Sequence, residues 1–280
     1  MICDAHVHMG YYSRKRCVVP FYYSPRRVLG VLNRCGVAEF VVSSTSAQVN
    51  GIGIDGIIKE ASEMKRLAGD RAHIFFWLSW HLYQEDRKLN WLESGLFDGI
   101  KFHEGETPWN KQYSLELHRV IEKANDMNIP VMFHCGNSLG CTPKELSTYA
   151  KEHPGVRFDF AHCRMKPEMA YIIKEYENVW TDTAYLSKES FRGIKDYDWC
   201  GRIMFGTDLP VWQAFDECSL TRKYQEYTTS LRELGKAEDF CLAFMRYLGR
   251  STCQRPQLDS SILPTVCDCW RKNGSISRVS

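Results

Sequence analysis

The sequence predicts an α/β fold, a single-domain (β/α)₈ TIM barrel. Three observations carry this. Short runs rich in β-branched and aromatic residues recur, each followed by a longer amphipathic stretch. The runs are nearly continuous in apolar residues, as parallel strands covered by helices require. They are eight in number: Ile2–His8, Phe40–Ser44, His73–Trp80, Gly99–His103, Val131–Cys135, Val156–His162, Val179–Thr183 and Ile203–Asp208. Eight strand–helix units in roughly 250 residues match the size of a closed barrel.

An open doubly wound sheet is the competing architecture, and it calls for a glycine-rich phosphate turn after an early strand. The first run ends instead in His-Val-His-Met-Gly-Tyr-Tyr. The segment Asn50–Gly56 holds three glycines without the required spacing and reads as a loop before a helix. Among the helical stretches, Ser114–Met127 and Pro143–Glu152 show apolar residues three and four apart. Ser114 and Thr142 suit N-caps, Pro143 suits a first turn, and Asn128 and Gly155 suit stops. The barrel is expected over residues 1–249, and residues 250–280 form an irregular or disordered tail of Ser, Pro, Cys and polar residues. Within the tail, Cys267-Asp268-Cys269 supplies two thiols, half of a soft-metal site.

Composition narrows the function classes. The 280 residues carry a net charge of +2 and no long basic block, which argues against nucleic acid or an anionic membrane as partner. The 12 cysteines form no compact framework, and Cys135, Cys163 and Cys241 sit inside apolar runs. A reducing, cytoplasmic setting is expected. The amino terminus shows no signal-peptide pattern, and no apolar stretch approaches the ~18 residues of a membrane span.

The chemistry gathers at strand ends. In Asp4-Ala5-His6-Val7-His8 the two histidines are two residues apart, so they project to one face of a strand. Adjacent imidazoles repel when protonated, and a divalent cation uses their neutral nitrogens instead. His134 and His162 close the fifth and sixth runs, and Asp208 closes the eighth. The carboxyl ends of barrel strands converge on one face, so these residues meet there. Lys101 and His103 share one face of the fourth run. A lysine inside a barrel needs a substrate anion, a carboxylate such as Asp208, or chemical modification. Met9–Pro25 is expected to be a long loop, and its Tyr12, Arg14 and Arg16 suit a planar or carboxylated substrate. Arg164 suits an anionic group, Trp80 and His81 the rim, and Asp182 either hydrogen bonding behind the site or direct chemistry. Glu104 and Glu106 follow the fourth run. His118 and His153 read as a solvated helix position and a helix end, and His73 belongs to the opposite end of the barrel.

Asp-Ala-His-Val-His, Gly-Ile-Lys-Phe-His, Phe-His-Cys-Gly, Phe-Ala-His-Cys, Thr-Asp-Thr-Ala and Phe-Gly-Thr-Asp-Leu-Pro follow one another in order. In this ordered set the chain resembles the amidohydrolase superfamily, in its amidohydrolase-related (amidohydrolase 2) branch. The resemblance implies a metal-dependent hydrolase of a small amide, lactone or ester acting through a metal-activated water. It makes His6, His8, His134 and Asp208 the ligands, with one Zn²⁺ expected and Mn²⁺, Fe²⁺ or Co²⁺ admitted. Asp208 and His162 would carry proton transfers, with His162 binding a second metal if one is present. Lys101, His103, Arg164 and Tyr12 would hold a small-molecule substrate. In some relatives a carboxylated lysine bridges two metals, which would give Lys101 another role. The branch also contains non-oxidative decarboxylases of carboxylated aromatic acids, the second reading. A non-catalytic metal- or ligand-binding barrel is the third. Such barrels often pair, so a homodimer is an expectation.

Overall fold

The structure is a computed structural model that describes residues 1–12, 21–103, 114–136, 140–162, 167–211 and 217–250. Among these the strands are β1 Ile2–Tyr12, β2 Phe21–Tyr23, β3 Val37–Ser44, β4 Ala72–Trp77, β5 Gly99–Phe102, β6 Val131–His134, β7 Phe158–Ala161, β8 Val179–Asp182 and β9 Ile203–Met204. The helices are α1 Pro25–Arg34, α2 Ile54–Ala68, α3 Trp80–Glu85, α4 Ser114–Asp126, α5 Pro143–Glu152, α6 Pro167–Glu175, α7 Lys188–Gly193, α8 Glu217–Leu234 and α9 Ala237–Tyr247.

Strands β1 and β3 to β9 pair in parallel, in chain order. The sheet then closes on itself. The Ala5 amide donates to the Phe205 carbonyl at 2.7 Å, the Asp208 amide to His6 at 2.8 Å, and the His8 amide to Leu209 at 2.6 Å. The result is the TIM-barrel α/β architecture. The first strand differs from its expected length. Met9–Tyr12 continues β1, and Gly10–Tyr12 pairs antiparallel with β2, Tyr12 opposite Phe21, so this part of the expected loop is a hairpin arm.

Pleating sorts the side chains. Phe75, Lys101, Met132 and Trp180 are held inside the barrel, whereas their neighbours Phe76, Ile100, Phe102, Val131 and Phe133 pack under the helices. Both faces are buried, so the strands read as continuous apolar runs. Gly99 allows a close approach inside the barrel: a Cβ there would lie 2.6 Å from the Phe75 ring. The floor of the barrel is filled by α9, whose Cys241, Phe244 and Tyr247 pack with Cys3, Phe75, Trp180 and Met204.

The caps follow the sequence in part. Thr142 caps α5 with a full capping box to Glu145, and Pro143 opens the helix. Asn128, at φ +53, follows the end of α4. Ser114 is the first residue of α4 rather than its cap. His118 departs from the solvated position expected of it: its Nδ1 lies 2.8 Å from His153 Nε2.

A bulge in β1 decides which way its histidines face. Asp4 pairs with Phe40 and Val7 with Val42, so one extra residue sits on β1 between them. Below it Cys3 and Ala5 belong to the inner cluster. Above it Val7 and Met9 belong to the outer cluster, which leaves His6 and His8 to the inside. Asp4 secures the irregularity, accepting from the His6 amide (3.0 Å), the Thr207 amide (3.1 Å), the Thr207 hydroxyl (2.7 Å) and the Tyr224 hydroxyl (2.7 Å). Tyr224→Phe should therefore lower stability by about 1–3 kcal/mol, the scale of leaving a buried polar group without its partner. A urea midpoint indistinguishable from wild type would show that this bond contributes nothing.

Candidate metal centre

The barrel strands bring one polar group after another to their carboxyl ends. His6 and His8 come from β1, Lys101 from β5, His134 from β6, Asp182 from β8, and His162 and Asp208 from just beyond β7 and β9. His6, His8, Lys101, His162, Asp182 and Asp208 are buried, while His103 and His134 are half-buried.

Two of these residues sit in a backbone conformation that side chains disfavour. His162 has φ +75 and Asp208 has φ +60. The left-handed region costs a non-glycine residue about 1–2 kcal/mol. Specific bonds hold it here: the His162 amide donates to Asp182 Oδ1 at 3.0 Å, and the Asp208 amide to the His6 carbonyl. Strain of this kind, fixed by its surroundings, is characteristic of functional sites.

Hydrogen bonding fixes the ring tautomers. His6 Nδ1 lies 2.8 Å from Asp182 Oδ2, and a carboxylate only accepts, so Nδ1 carries the proton. His8 Nδ1 faces the Ser43 hydroxyl at 3.0 Å and the Ser43 carbonyl at 3.4 Å, and donates there. The two Nε2 lone pairs are left 3.2 Å apart. Asp208 Oδ1 adds a third electron-rich atom, 3.0 Å from His8 Nε2 and 3.6 Å from His6 Nε2. Three such atoms converging in a buried place need a cation between them. Lys101 Nζ supplies positive charge, 2.5 Å from His6 Nε2 and 3.1 Å from His8 Nε2, and lies 4.7 Å over the Trp77 ring. The donor set also fits a divalent metal: among the described residues the ligand atoms of His6, His8 and Asp208 lie within 4.8 Å of one another. A second such group is His6, His162 and Asp182, in which Asp182 already holds His6 by its hydrogen bond.

His134 joins this centre through His162, whose Nε2 lies 2.9 Å from His134 Nδ1. His103 stacks between Trp77 and His134, at centroid distances of 5.5 and 4.1 Å. Tyr12 ends β1, four residues past His8 and paired with Phe21. Arg164, Arg14, Arg16, Glu104, Glu106 and the Cys267–Cys269 pair lie outside the described residues. Trp80 and His81 begin α3, where His81 Nε2 approaches the Ile52 carbonyl at 3.2 Å. Ser43 and Trp77 are neighbours of the centre that the sequence reading passed over. The signal for Ser43 was available, since a strand of apolar residues ending in two serines places a small polar group at the barrel mouth.

Burial shapes the protonation states. It pushes His8 down to about 3, with the charge of Lys101 adding to the effect. It pushes His103 down to about 3 and His162 to about 4, and it holds His134 well below its ordinary value. Burial also draws Lys101 down to about 8, against the pull of Asp208, Asp182 and Asp159. For Asp208 burial opposes ionisation, but the hydrogen bond with His8 and the electrostatic interactions with His6 and His162 overcome it, leaving the carboxyl well below its usual range.

These shifts fix a pH dependence. His8, His103 and His162 stay neutral in the folded chain down to about pH 3 to 4, whereas in the unfolded chain they protonate near 6.5. Between those limits the unfolded chain binds more protons, so stability is full above pH 6.5 and drains away on acidification. Urea midpoints of chelator-treated protein should fall steadily from pH 7.5 to pH 4.5. A flat profile would contradict the neutral assignment.

Comparison with known proteins places this geometry. An amidohydrolase family model matches residues 84–233, just over half of the chain. A search of curated proteins returns no match. Among solved structures, the chain is similar to a probable 2-pyrone-4,6-dicarboxylic acid hydrolase from Acinetobacter baumannii with citric acid bound. The TM-score is 0.62 at 11% identity, over 89% of this chain and 99% of that one. It is similar to 5-carboxyvanillate decarboxylase from Sphingomonas paucimobilis, with TM-score 0.57 and 11% identity over 89% and 99% of the chains. It is also similar to 4-oxalomesaconate hydratase from Rhodopseudomonas palustris, with TM-score 0.55 and 13% identity over 89% and 96%. At these identities the likeness shows the barrel fold, and it is the family match that settles membership: this chain belongs to the amidohydrolase family.

Proposed function

We propose that the chain is a metal-dependent hydrolase of a small, carboxylated carbonyl compound such as a lactone, amide or ester. The observation that carries this is the convergence of His6 Nε2, His8 Nε2 and Asp208 Oδ1 in a buried place, each imidazole oriented from behind by Asp182 or Ser43. These residues would hold one divalent ion; His134, the other expected ligand, stands outside that group and meets it through His162. Zinc suits imidazole and carboxylate donors. Such an ion supplies Lewis acidity to a carbonyl oxygen and makes water more acidic.

The chain's own residues do the rest. Asp208, ionised and at the edge of the centre, accepts the proton of the attacking water and returns it to the leaving group. His162 and His134, neutral and hydrogen-bonded to each other across 2.9 Å, stabilise charge that develops on a substrate oxygen. Lys101 offers an ammonium to a substrate anion. The wall formed by Trp77, His103 and His134 is nearly planar, with interplanar angles of 17° and 29°, and suits a flat ring. The names of all three similar structures describe substrates that carry carboxyl groups, which supports an anionic substrate here.

The same flat wall favours a second reading, non-oxidative decarboxylation of a carboxylated aromatic acid. Product analysis separates the two. Hydrolysis incorporates oxygen from ¹⁸O-labelled water, whereas decarboxylation releases carbon dioxide and takes a proton onto carbon. Asp208→Asn should keep the fold and lose about 10²–10⁴-fold in turnover on a substrate found in a panel of lactones and aromatic acids. Wild-type turnover by that variant would remove Asp208 from the proton path. Ser43→Ala should weaken metal binding about 10-fold by freeing the His8 ring, as read by competition with a chromophoric chelator. Unchanged affinity would mean that Ser43 does not orient His8.

A further inference from the structure

We infer that the outer helix layer carries a second cation site, formed by His118, Glu152 and His153, that takes a zinc-class divalent ion. This inference does not rest on the proposed reaction. The three side chains place ligand atoms within 4.8 Å of one another. His118 Nδ1 lies 2.8 Å from His153 Nε2, and His118 Nε2 lies 3.5 Å from Glu152 Oε2.

The residues come from two helices and are held in place. His118 stands on α4 and packs on the Tyr149 ring of α5, with centroids 5.1 Å apart. His153 terminates α5, its amide donating to the Tyr149 carbonyl at 2.9 Å. Neither imidazole is a freely rotating surface group, so ligation orders less than it would on an open face. The charge balance is also favourable. Glu122, one turn after His118 on α4, is within electrostatic reach of His153, and Glu152 adds a second carboxylate. Two imidazoles with nearby carboxylates are a borderline-soft donor set that suits zinc.

The separation of the nitrogens fits as well. Two ligands at about 2.05 Å in a tetrahedral arrangement stand about 3.3 Å apart. The present 2.8 Å is a hydrogen-bonded pair sharing one proton, and a small rotation of the rings reaches the ligated spacing. Binding at His118 Nδ1 would move that shared proton to the ring's Nε2, which faces Glu152, and the ion would tie α4 to α5.

The test uses the full chain with His6→Ala/His8→Ala, which disables the barrel-mouth centre. Zinc is titrated against a chromophoric chelator. The expected result is one ion per chain, with affinity falling at least tenfold when His118→Ala/His153→Ala is added. Circular dichroism checks folding, and His118→Gln, which keeps a polar side chain, should weaken binding in the same direction. No zinc retained in the His6→Ala/His8→Ala chain, or retention that His118 and His153 do not affect, would overturn the site. Loss of the proposed reaction would leave this titration unchanged, so the two readings fail separately. In the otherwise wild-type chain, His118→Ala/His153→Ala should remove one bound zinc and leave turnover as it was.

Discussion

The arrangement at the barrel mouth depends on the extra residue in β1 between Asp4 and Val7. A strand alternates its side chains strictly, and one added residue exchanges the two faces. Without it, the parity that puts Cys3 and Ala5 into the floor would turn His6 and His8 out under the helices. The bulge frees the His6 amide from the ladder, and Asp4 takes it up while bonding Thr207 and Tyr224. One carboxylate thus fastens the bulge, the closing seam and α8 together.

The centre is a problem in charge as much as in shape. Burial strips water from every group, so each neutral imidazole resists protonation and each carboxylate needs a cationic neighbour. Asp182 accepts from His6 Nδ1 and from the amides of His162 and Ala184. It therefore sets the orientation of one ring and the backbone turn that carries another.

Much of the barrel was legible from the sequence because its signals are local. The eight apolar runs, the Thr142–Glu145 capping box and the paired histidines of β1 each follow from residues close together in the chain. Other features depend on contacts made at long range. The bulge shows only in the register against β3. Gly10–Tyr12 reads as loop until β2 lies beside it. The pairing of His118 with His153 needs α4 and α5 packed together, and no helical period reports that. Ser43 and Trp77 look like ordinary strand residues until the closed sheet turns them toward the histidines.

The seam between the first and last strands has a consequence for biosynthesis. β1 pairs with β3 soon after it is made, but its other edge waits for Phe205–Leu209, and its floor waits for Cys241–Tyr247. Contacts spanning some 200 residues close slowly, because the intervening chain must be ordered first. A nascent chain stalled on the ribosome short of α9 would expose the inner faces of β1, β4 and β8, including Phe75 and Trp180, and an unpaired strand edge. The last helix of the described residues, α9, is thus the element whose arrival closes the barrel floor during synthesis.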